Sequence, residues 1–317
     1  MIPSDAGRTA LRVAVAGVPG AWSTERLRDA LAACGADAIT VDPSACAVDL
    51  GDGAVWCEGV DLGTLDGVVV KKLGATTDPL APSRVQLLYQ LEHRGVRVFS
   101  RARAIGEVND RYRMTQRLGQ NGLPIPRTVV TESVWAADQV IRDWGRVVVK
   151  PLFTSKGRGM LLLDREHPRR LALRRWRRNW RMPYYLQEFV PGAGRDIGVV
   201  VLDGRVLGAY YRVAEGGKWL TTTAAGGRYA PCPVTPEMGQ VAVRAAGVFG
   251  LEFTGVDLVE ASGGYLVYEV SAFGGFAGLW RSQGIDAAKA YAEYVVHALM
   301  RSRQHGRAGV GSPHLSA

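Results

Sequence analysis

Lys150 closes the apolar run VVVK and is followed by a glycine-bearing loop, Thr154 to Gly159 (TSKGRG), before a second apolar run, MLLLD. Gly157 and Gly159 can take positive φ and turn successive backbone N–H groups to one side, which suits a phosphate cradle. An ordinary hairpin turn accounts for the same residues, although Lys156 and Arg158 at its tip permit a nearby anion. Lys150 also reads two ways: as a compact cation beside backbone donors, or as a strand-end lysine with its head in solvent. Further along, Asp257 in GVDLV and Glu269 in YLVYEV fall on consecutive strand-like segments. A hairpin can set such carboxylates side by side, where they repel unless a cation lies between them; the other arrangement is two acids at opposite edges of a solvated hairpin. Hard oxygen ligands of this type are what Mg²⁺ requires.

The elements that must position these groups follow from periodicity. Residues 11–105 alternate strand-like and helix-like patterns: LRVAVAGV, then the helix TERLRDALAACG ending at Gly35, AITVD, DGVVVKKLG, the helix SRVQLLYQLEHRG and VRVFS. This is a βαβ series with a parallel sheet. AGVPGAW after the first strand is not GxGxxG, so the dinucleotide fingerprint is absent. From Asn109 the texture changes. NDRYRMTQRLGQNG reads as a helix with Asn109 or Asp110 as N-cap and a stop at Gly122, and LPIPRTVVTES enters a strand after two prolines. SVWAADQVIRDWG is a helix and RVVVK a strand. Because MLLLD is strand-like, the glycine loop is the tip of a β-hairpin and not a Walker loop, which leads into a helix. Beyond it, GRDIGVVVLDGRVLGAYYRVA gives two strands about Asp203-Gly204, and FTGVDLVEASGGYLVYEVSAFGG two more about Ser262-Gly263-Gly264. TPEMGQVAVRAAGVFG is a helix ending at Gly250, GIDAAKAYAEYVVHALM is a final helix, and the polar residues 302–317 read as a disordered tail.

With 317 residues, 47% of them hydrophobic and 22% charged, the chain buries a substantial core and divides into roughly two or three compact units. No apolar run approaches the ~20 residues that cross a bilayer, and the N-terminus lacks the features of a secretory signal; a cytoplasmic protein is expected. Cys34, Cys46, Cys57 and Cys232 show no CxxC spacing and read as reduced and structural. The net charge of +9 and pI near 9.6 favour acidic partners, whether nucleotides, acidic peptides or nucleic acid. Eight arginines lie between Arg165 and Arg181. They read either as a solvated helix face, with Leu171, Trp176 and Trp180 turned inward, or as a docking surface for an acidic partner. Nucleic acid has no supporting RRM, KH or helix-turn-helix signature.

A βαβ domain followed in order by NDRYRMTQRLGQNGLPIPRTVV, VVVKPLFTSKGRGM, LQEFV, GRDIGVVVLDGRV, GVDLV and YEVSAFGGFAG resembles the ATP-grasp ligases. The likeness is strongest to the RimK and LysX-like group, which joins a carboxylate to an amine, and it covers about residues 11–300. The implied fold is α/β and α+β: an N-terminal parallel domain (1–106), a central subdomain with the glycine-rich flap (107–185), a C-terminal antiparallel subdomain with the metal site (186–301), and the tail.

The resemblance implies ATP and Mg²⁺ or Mn²⁺ as cofactors, with Lys150 touching nucleotide phosphates and Ser155, Lys156, Gly157, Arg158 and Gly159 in a flap over them. In QEFV, Gln187 to Val190, the acid Glu188 and the following backbone would read the adenine edge, with Phe189 and Val190 near the base; a core strand with one exposed acid is the alternative. Asp196, in the RDI position with Arg195, would lie near the ribose or orient the substrate. Arg212 would stabilise charge as an acyl phosphate forms, and Asp257, Glu269 and Ser271 would hold the metal. Three positions depart from the pattern: Ser271 replaces an asparagine, Arg111 a lysine, and Thr222 stands where an asparagine is common, without the usual basic neighbour.

The expected activity is ATP-dependent carboxylate–amine ligation through an acyl phosphate. Its substrate would be an amino acid, a peptide, an acidic carrier or a cofactor side chain, and the resemblance implies a dimer or tetramer. The alternative is a nucleotide-binding regulatory protein of the same fold without ligase activity.

Overall fold

A computed structural model describes residues 10–74, 80, 83–192 and 194–308, with side chains to Gln304. The chain divides into two compact units, one formed by residues 1–75, 83–102 and 286–317, the other by residues 76–82 and 103–285.

The first unit begins β1 (Arg12–Ala16), α1 (Trp22–Ala33), β2 (Asp37–Val41), β3 (Cys46–Val48), β4 (Val55–Cys57), β5 (Val60–Asp61), β6 (Gly67–Val70), α2 (Val85–His93) and β7 (Arg97–Phe99). Four strands form a parallel sheet in the order β2-β1-β6-β7, as the βαβ pattern implies. The strands β3, β4 and β5 form a small antiparallel sheet that the pattern reading did not resolve, because runs of two or three residues carry too little periodicity. This sheet makes Cys46 and Cys57 register partners, and all four cysteines are free.

The second unit contains α3 (Ala102–Asn109), α4 (Arg111–Gln120), β8 (Thr128–Thr131), α5 (Val134–Trp144), β9 (Arg146–Lys150), β10 (Leu161–Asp164), α6 (Arg169–Trp180) and β11 (Tyr184–Glu188). Asp110 caps α4 by accepting from the Tyr112 and Arg113 N–H groups, as its position before the amphipathic run requires. An antiparallel sheet in the order β10-β9-β11-β8 follows from the hairpin, with Leu161 opposite Val149. One face of that sheet, carrying Val147, Val149, Tyr184 and Leu186, packs on Ala137 and Ile141 of α5 and on Leu173 and Trp176 of α6. Full burial of each large side chain there contributes about 1.5–3 kcal/mol. Leu173, not Leu171, is the inward leucine of α6: Leu171 is 67% exposed, Trp176 is buried and Trp180 is half-buried. The 3.6-residue period puts Leu173 and Trp176, three apart, on one face and turns Leu171 away from it.

The chain continues through β12 (Arg195–Leu202), β13 (Arg205–Val213), β14 (Arg228–Cys232), α7 (Pro236–Gly247), β15 (Phe253–Ala261), β16 (Gly264–Val270) and α8 (Ala277–Gln283). Its sheet has the order β14-β13-β12-β15-β16. The β12–β13 turn takes φ of 48° at Asp203 and 72° at Gly204, the paired positive values of a tight hairpin.

The last helix, α9 (Ala287–Ala308), belongs to the first unit. It runs on through residues 302–308, which their polar composition assigned to a tail. Arg303 accounts for the extension, because it donates to both carboxylate oxygens of Asp66 at 2.8 Å. The remainder of that segment, 309–317, lies outside the described residues. Among the described residues no helix is long and apolar enough to cross a membrane.

Candidate active site

The polar face of the four-stranded sheet fixes Lys150. Lys150 and Tyr185 are register partners, as are Val148 and Gln187, so alternation brings Lys150, Tyr185 and Gln187 to the same side. Lys150 Nζ donates to Gln187 Oε1 at 2.6 Å. Gln187 is oriented in turn by donating to Thr128 Oγ1 at 3.1 Å and to the Tyr185 hydroxyl at 3.2 Å. Burial, with the Arg111 charge nearby, lowers the Lys150 pKa to about 7, against the opposing pull of Glu269, Asp257 and Asp196.

The five-stranded sheet supplies the acids and a second cation. Asp196 and Arg212 are register partners, and Arg212 Nε donates to Asp196 Oδ1 at 2.6 Å. Two residues along, Gly198 stands opposite both Tyr210 and Asp257. A Cβ at Gly198 would run into the Tyr210 ring. Arg212 reaches across β12 to Asp257 Oδ2 at 2.8 Å. Burial works against the Arg212 charge, but Asp257 and Asp196 overcome it and hold the guanidinium well above its ordinary pKa. Desolvation pushes Asp257 up to about 6; Arg212 opposes this, while Asp196 and Glu269 add to it. Asp257 and Glu269 are register partners, and the next pair is Leu258 with Val267, so Tyr268 is the extra residue of a β-bulge. Its ring meets the Lys150 ammonium at 5.0 Å, and its hydroxyl donates to Val190 O at 3.3 Å.

Arg111, at the first turn of α4, ties the flap to these acids. It is buried and donates to Pro151 O, to Thr154 O at 2.9 Å and to Glu269 Oε2 at 3.2 Å, while its Nε has no partner. The flap is anchored at its far end by Trp176 Nε1, which donates to Gly159 O at 2.7 Å. Lys156, Gly157 and Gly159 all have positive φ, between 58° and 72°. A side chain at Gly157 would meet Leu220 and Thr222, so the flap packs against the segment around Thr222. The Thr222 hydroxyl is buried without a partner.

The RimK-like ATP-grasp domain profile matches residues 108–295, more than half of the chain. The chain belongs to the RimK-like ATP-grasp family. It is 29% identical over 266 residues to a tetrahydromethanopterin:alpha-L-glutamate ligase of Methanosarcina acetivorans, covering 75% of this chain and 82% of that protein. It is 27% identical over 279 residues to a probable alpha-L-glutamate ligase of Cellvibrio japonicus, covering 86% and 91%. The fold is shared with a RimK domain ATP-grasp protein from Sphaerobacter thermophilus, at a TM-score of 0.71 and 23% identity over 89% of this chain and 98% of that one. It is also shared with the ATP-grasp ligase PsnB, solved with a phosphomimetic precursor variant, Mg and ADP, at a TM-score of 0.70 and 20% identity over 90% and 98%.

In this RimK-like chain Lys150, Gln187, Asp196, Arg212, Asp257, Glu269 and Arg111 form one linked cluster. Several other expected site residues have partners outside it. Glu188 is taken by Arg127, which donates to its two carboxylate oxygens at 2.8 and 2.6 Å. The Glu188 and Phe189 N–H groups donate to Arg127 O and Arg146 O, and the Phe189 ring lies 4.1 Å from the Arg146 guanidinium carbon. An adenine edge at this strand would therefore meet neither the free Glu188 acid nor those two N–H groups. Ser155, Lys156 and Arg158 belong to the flap, where Arg158 N donates to Ser155 O at 3.3 Å. Ser271 lies just beyond β16, and its hydroxyl accepts from Phe273 N at 3.4 Å. Sequence reading missed Tyr268, Arg127, Tyr185 and Thr128. The break in alternation at YE in YLVYEV was the available signal for Tyr268; the others are defined only by strand pairing.

Proposed function

We propose that this protein is an ATP-dependent ligase that joins a carboxylate to an amine through an acyl phosphate. The carrying observation is the linked cluster of Lys150, Arg212, Asp257 and Glu269, together with family membership and two relatives named as alpha-L-glutamate ligases. A carboxylate oxygen attacks the γ-phosphorus of ATP, the bond to the β,γ-bridging oxygen breaks, and ADP departs. An amine nitrogen then attacks the acyl carbon, inorganic phosphate leaves with the C–O electron pair, and the amine's proton passes to solvent or phosphate. Such chemistry needs chiefly positioning and charge neutralisation.

Arg212 supplies a fixed positive charge where the transferring phosphoryl group would lie, Lys150 adds a second in its protonated form, and the Gln187–Thr128–Tyr185 network holds the Lys150 head in place. Among the described residues no three His, Cys, Asp or Glu side chains converge as a metal centre. The donor set nevertheless fits a hard divalent ion. Arg212 takes one oxygen of Asp257 and Arg111 one oxygen of Glu269, leaving the second oxygen of each carboxylate for a cation, and desolvation, with Asp196 and Glu269 adding to it, works against the Asp257 charge despite Arg212. Mg²⁺ held by Asp257 and Glu269, with Ser271 close in sequence, would neutralise phosphate charge when bound. The acceptor is proposed to be an amino acid, a peptide or an acidic carrier, with glutamate the first amine to test.

Incubation with ATP, Mg²⁺ and a panel of amino acids and acidic peptides, reading ADP, phosphate and product mass, tests this function. Substrate-dependent ADP release with an equal yield of amide is expected. ATP binding without turnover across the panel would favour the regulatory reading instead.

A further inference from the structure

The arginine-rich helix α6 divides its charges between two uses. Arg169 and Arg170 donate to the two oxygens of the buried Asp138 at 2.8 and 2.9 Å, and Arg177 pairs with Glu132 at 2.8 Å. Arg174, Arg175, Arg178 and Arg181 are exposed and make no side-chain hydrogen bond or ion pair with any described residue. At about 100° per residue Arg174, Arg175, Arg178 and the exposed Leu171 share an arc of roughly 100°, directly opposite the face that buries Leu173 and Trp176, and Arg181 follows at the C-cap. Like charges four apart, as at Arg174 and Arg178, cost a helix a few tenths of a kcal/mol each, and among the described residues no acid pairs with them.

We infer that this stripe is a docking surface for an acidic polypeptide segment, distinct from the phosphate-facing cluster. Guanidinium groups suit bidentate carboxylate recognition, and Leu171 to Arg181 spans about 15 Å, the length of roughly five extended residues. Leu171, the single apolar side chain on the stripe, suits one apolar residue within that segment. A nucleic acid is disfavoured because the helix offers no stacking ring on this face: Trp176 is buried, and Trp180 packs on Gly159. The same helix braces the flap through Trp176 and Gly159, so a docked segment is held on an element bonded to the flap.

The test uses the full chain without nucleotide and a fluorescein-labelled dodecapeptide of glutamates with one central leucine, read by anisotropy. Saturable binding is expected. It should weaken at least tenfold in Arg174→Gln/Arg178→Gln and stay unchanged in Arg205→Gln/Arg301→Gln, with circular dichroism the same in all three proteins. No binding, equal binding by the Arg174→Gln/Arg178→Gln protein, or equally tight binding of a single-stranded oligonucleotide or of phosphatidylserine vesicles through the same arginines would overturn the inference. Turnover of free amino acids is expected to be unaffected by Arg174→Gln/Arg178→Gln, so docking and ligation fail or succeed separately.

Discussion

Arg212 on β13 holds Asp257 on β15 at 2.8 Å across the intervening strand, β12. The same guanidinium binds Asp196 at 2.6 Å, so one cation serves two acids. Removing one partner of a mostly buried ion pair costs about 3–5 kcal/mol, since the remaining charges lose their compensation. Arg212→Met is therefore expected to lower unfolding free energy in urea by about 3 kcal/mol and to abolish turnover. Arg212→Lys, which cannot span both acids, should restore stability in part and activity little. Full activity in Arg212→Met would remove this residue from the site.

Asp257 gives the site a dependence on cations and on pH. Its pKa is raised from 3.8 to about 6, so between those values the folded protein holds a proton that the unfolded chain releases. The group's contribution to stability is thus largest at low pH and falls as pH rises through that window. A divalent ion binds the ionised form. The Mg²⁺-induced rise in Tm should be full above pH 7 and vanish as pH falls through 6, and Asp257→Asn should abolish it at every pH. An Asp257→Asn protein that keeps the Mg²⁺ shift would place the ion elsewhere.

Lys150 titrates in the opposite sense. Its pKa is lowered from 10.5 to about 7, and a polyphosphate binds the protonated ammonium. ATP affinity in the absence of metal should be highest below pH 7 and weaken as pH rises through 7, by at most tenfold per unit for one linked proton. Calorimetric titration from pH 6 to 9 reads this directly, and Lys150→Met should bind weakly with a flat profile. A wild-type profile flat over the same range would disconnect Lys150 from the phosphates.

The two flap glycines should respond differently. A Cβ at Gly159 would strike the Trp180 ring and Pro151, at a φ of 71°. Gly159→Ala is expected to cost about 1–3 kcal/mol through overpacking and backbone strain. At Gly157 the same atom meets only Leu220 at 3.1 Å and Thr222 at 3.4 Å. Gly157→Ala should lose about 1 kcal/mol, the cost of a left-handed residue, while slowing turnover by more than that stability change explains. Thermal melts beside steady-state rates separate the two effects.

Local signals made most of this fold legible. Asp110 before an amphipathic run, Asp203-Gly204 between apolar strands and the order of motifs each specify an element or family with little help from tertiary context. Register and partner choice were not legible. Glu188 reads from sequence either as a site acid or as an exposed strand acid, and only strand pairing puts Arg127 beside it; Leu171 looked inward until the helix phase was fixed by Trp176. The polar residues after Arg301 looked like a tail because their support, Asp66, lies far away in sequence. Composition cannot report a contact across such a separation.

Thr222 offers the sharpest test of what the site binds. Its hydroxyl is buried and makes no hydrogen bond, although the segment packs beside the flap at Gly157. An unsatisfied buried hydroxyl is a net cost, so replacing it by a methyl group of the same shape should leave the fold intact and raise stability by about 1 kcal/mol. Thr222→Val is accordingly expected to melt at or above the wild-type temperature. If the hydroxyl is kept for a substrate group, the same variant should raise the KM of one substrate at least several-fold, and Thr222→Ser should restore it. An unchanged KM for ATP, carboxylate and amine in Thr222→Val would show that the orphan serves no ligand, and the identity of the substrate missing its partner would otherwise assign this wall of the site.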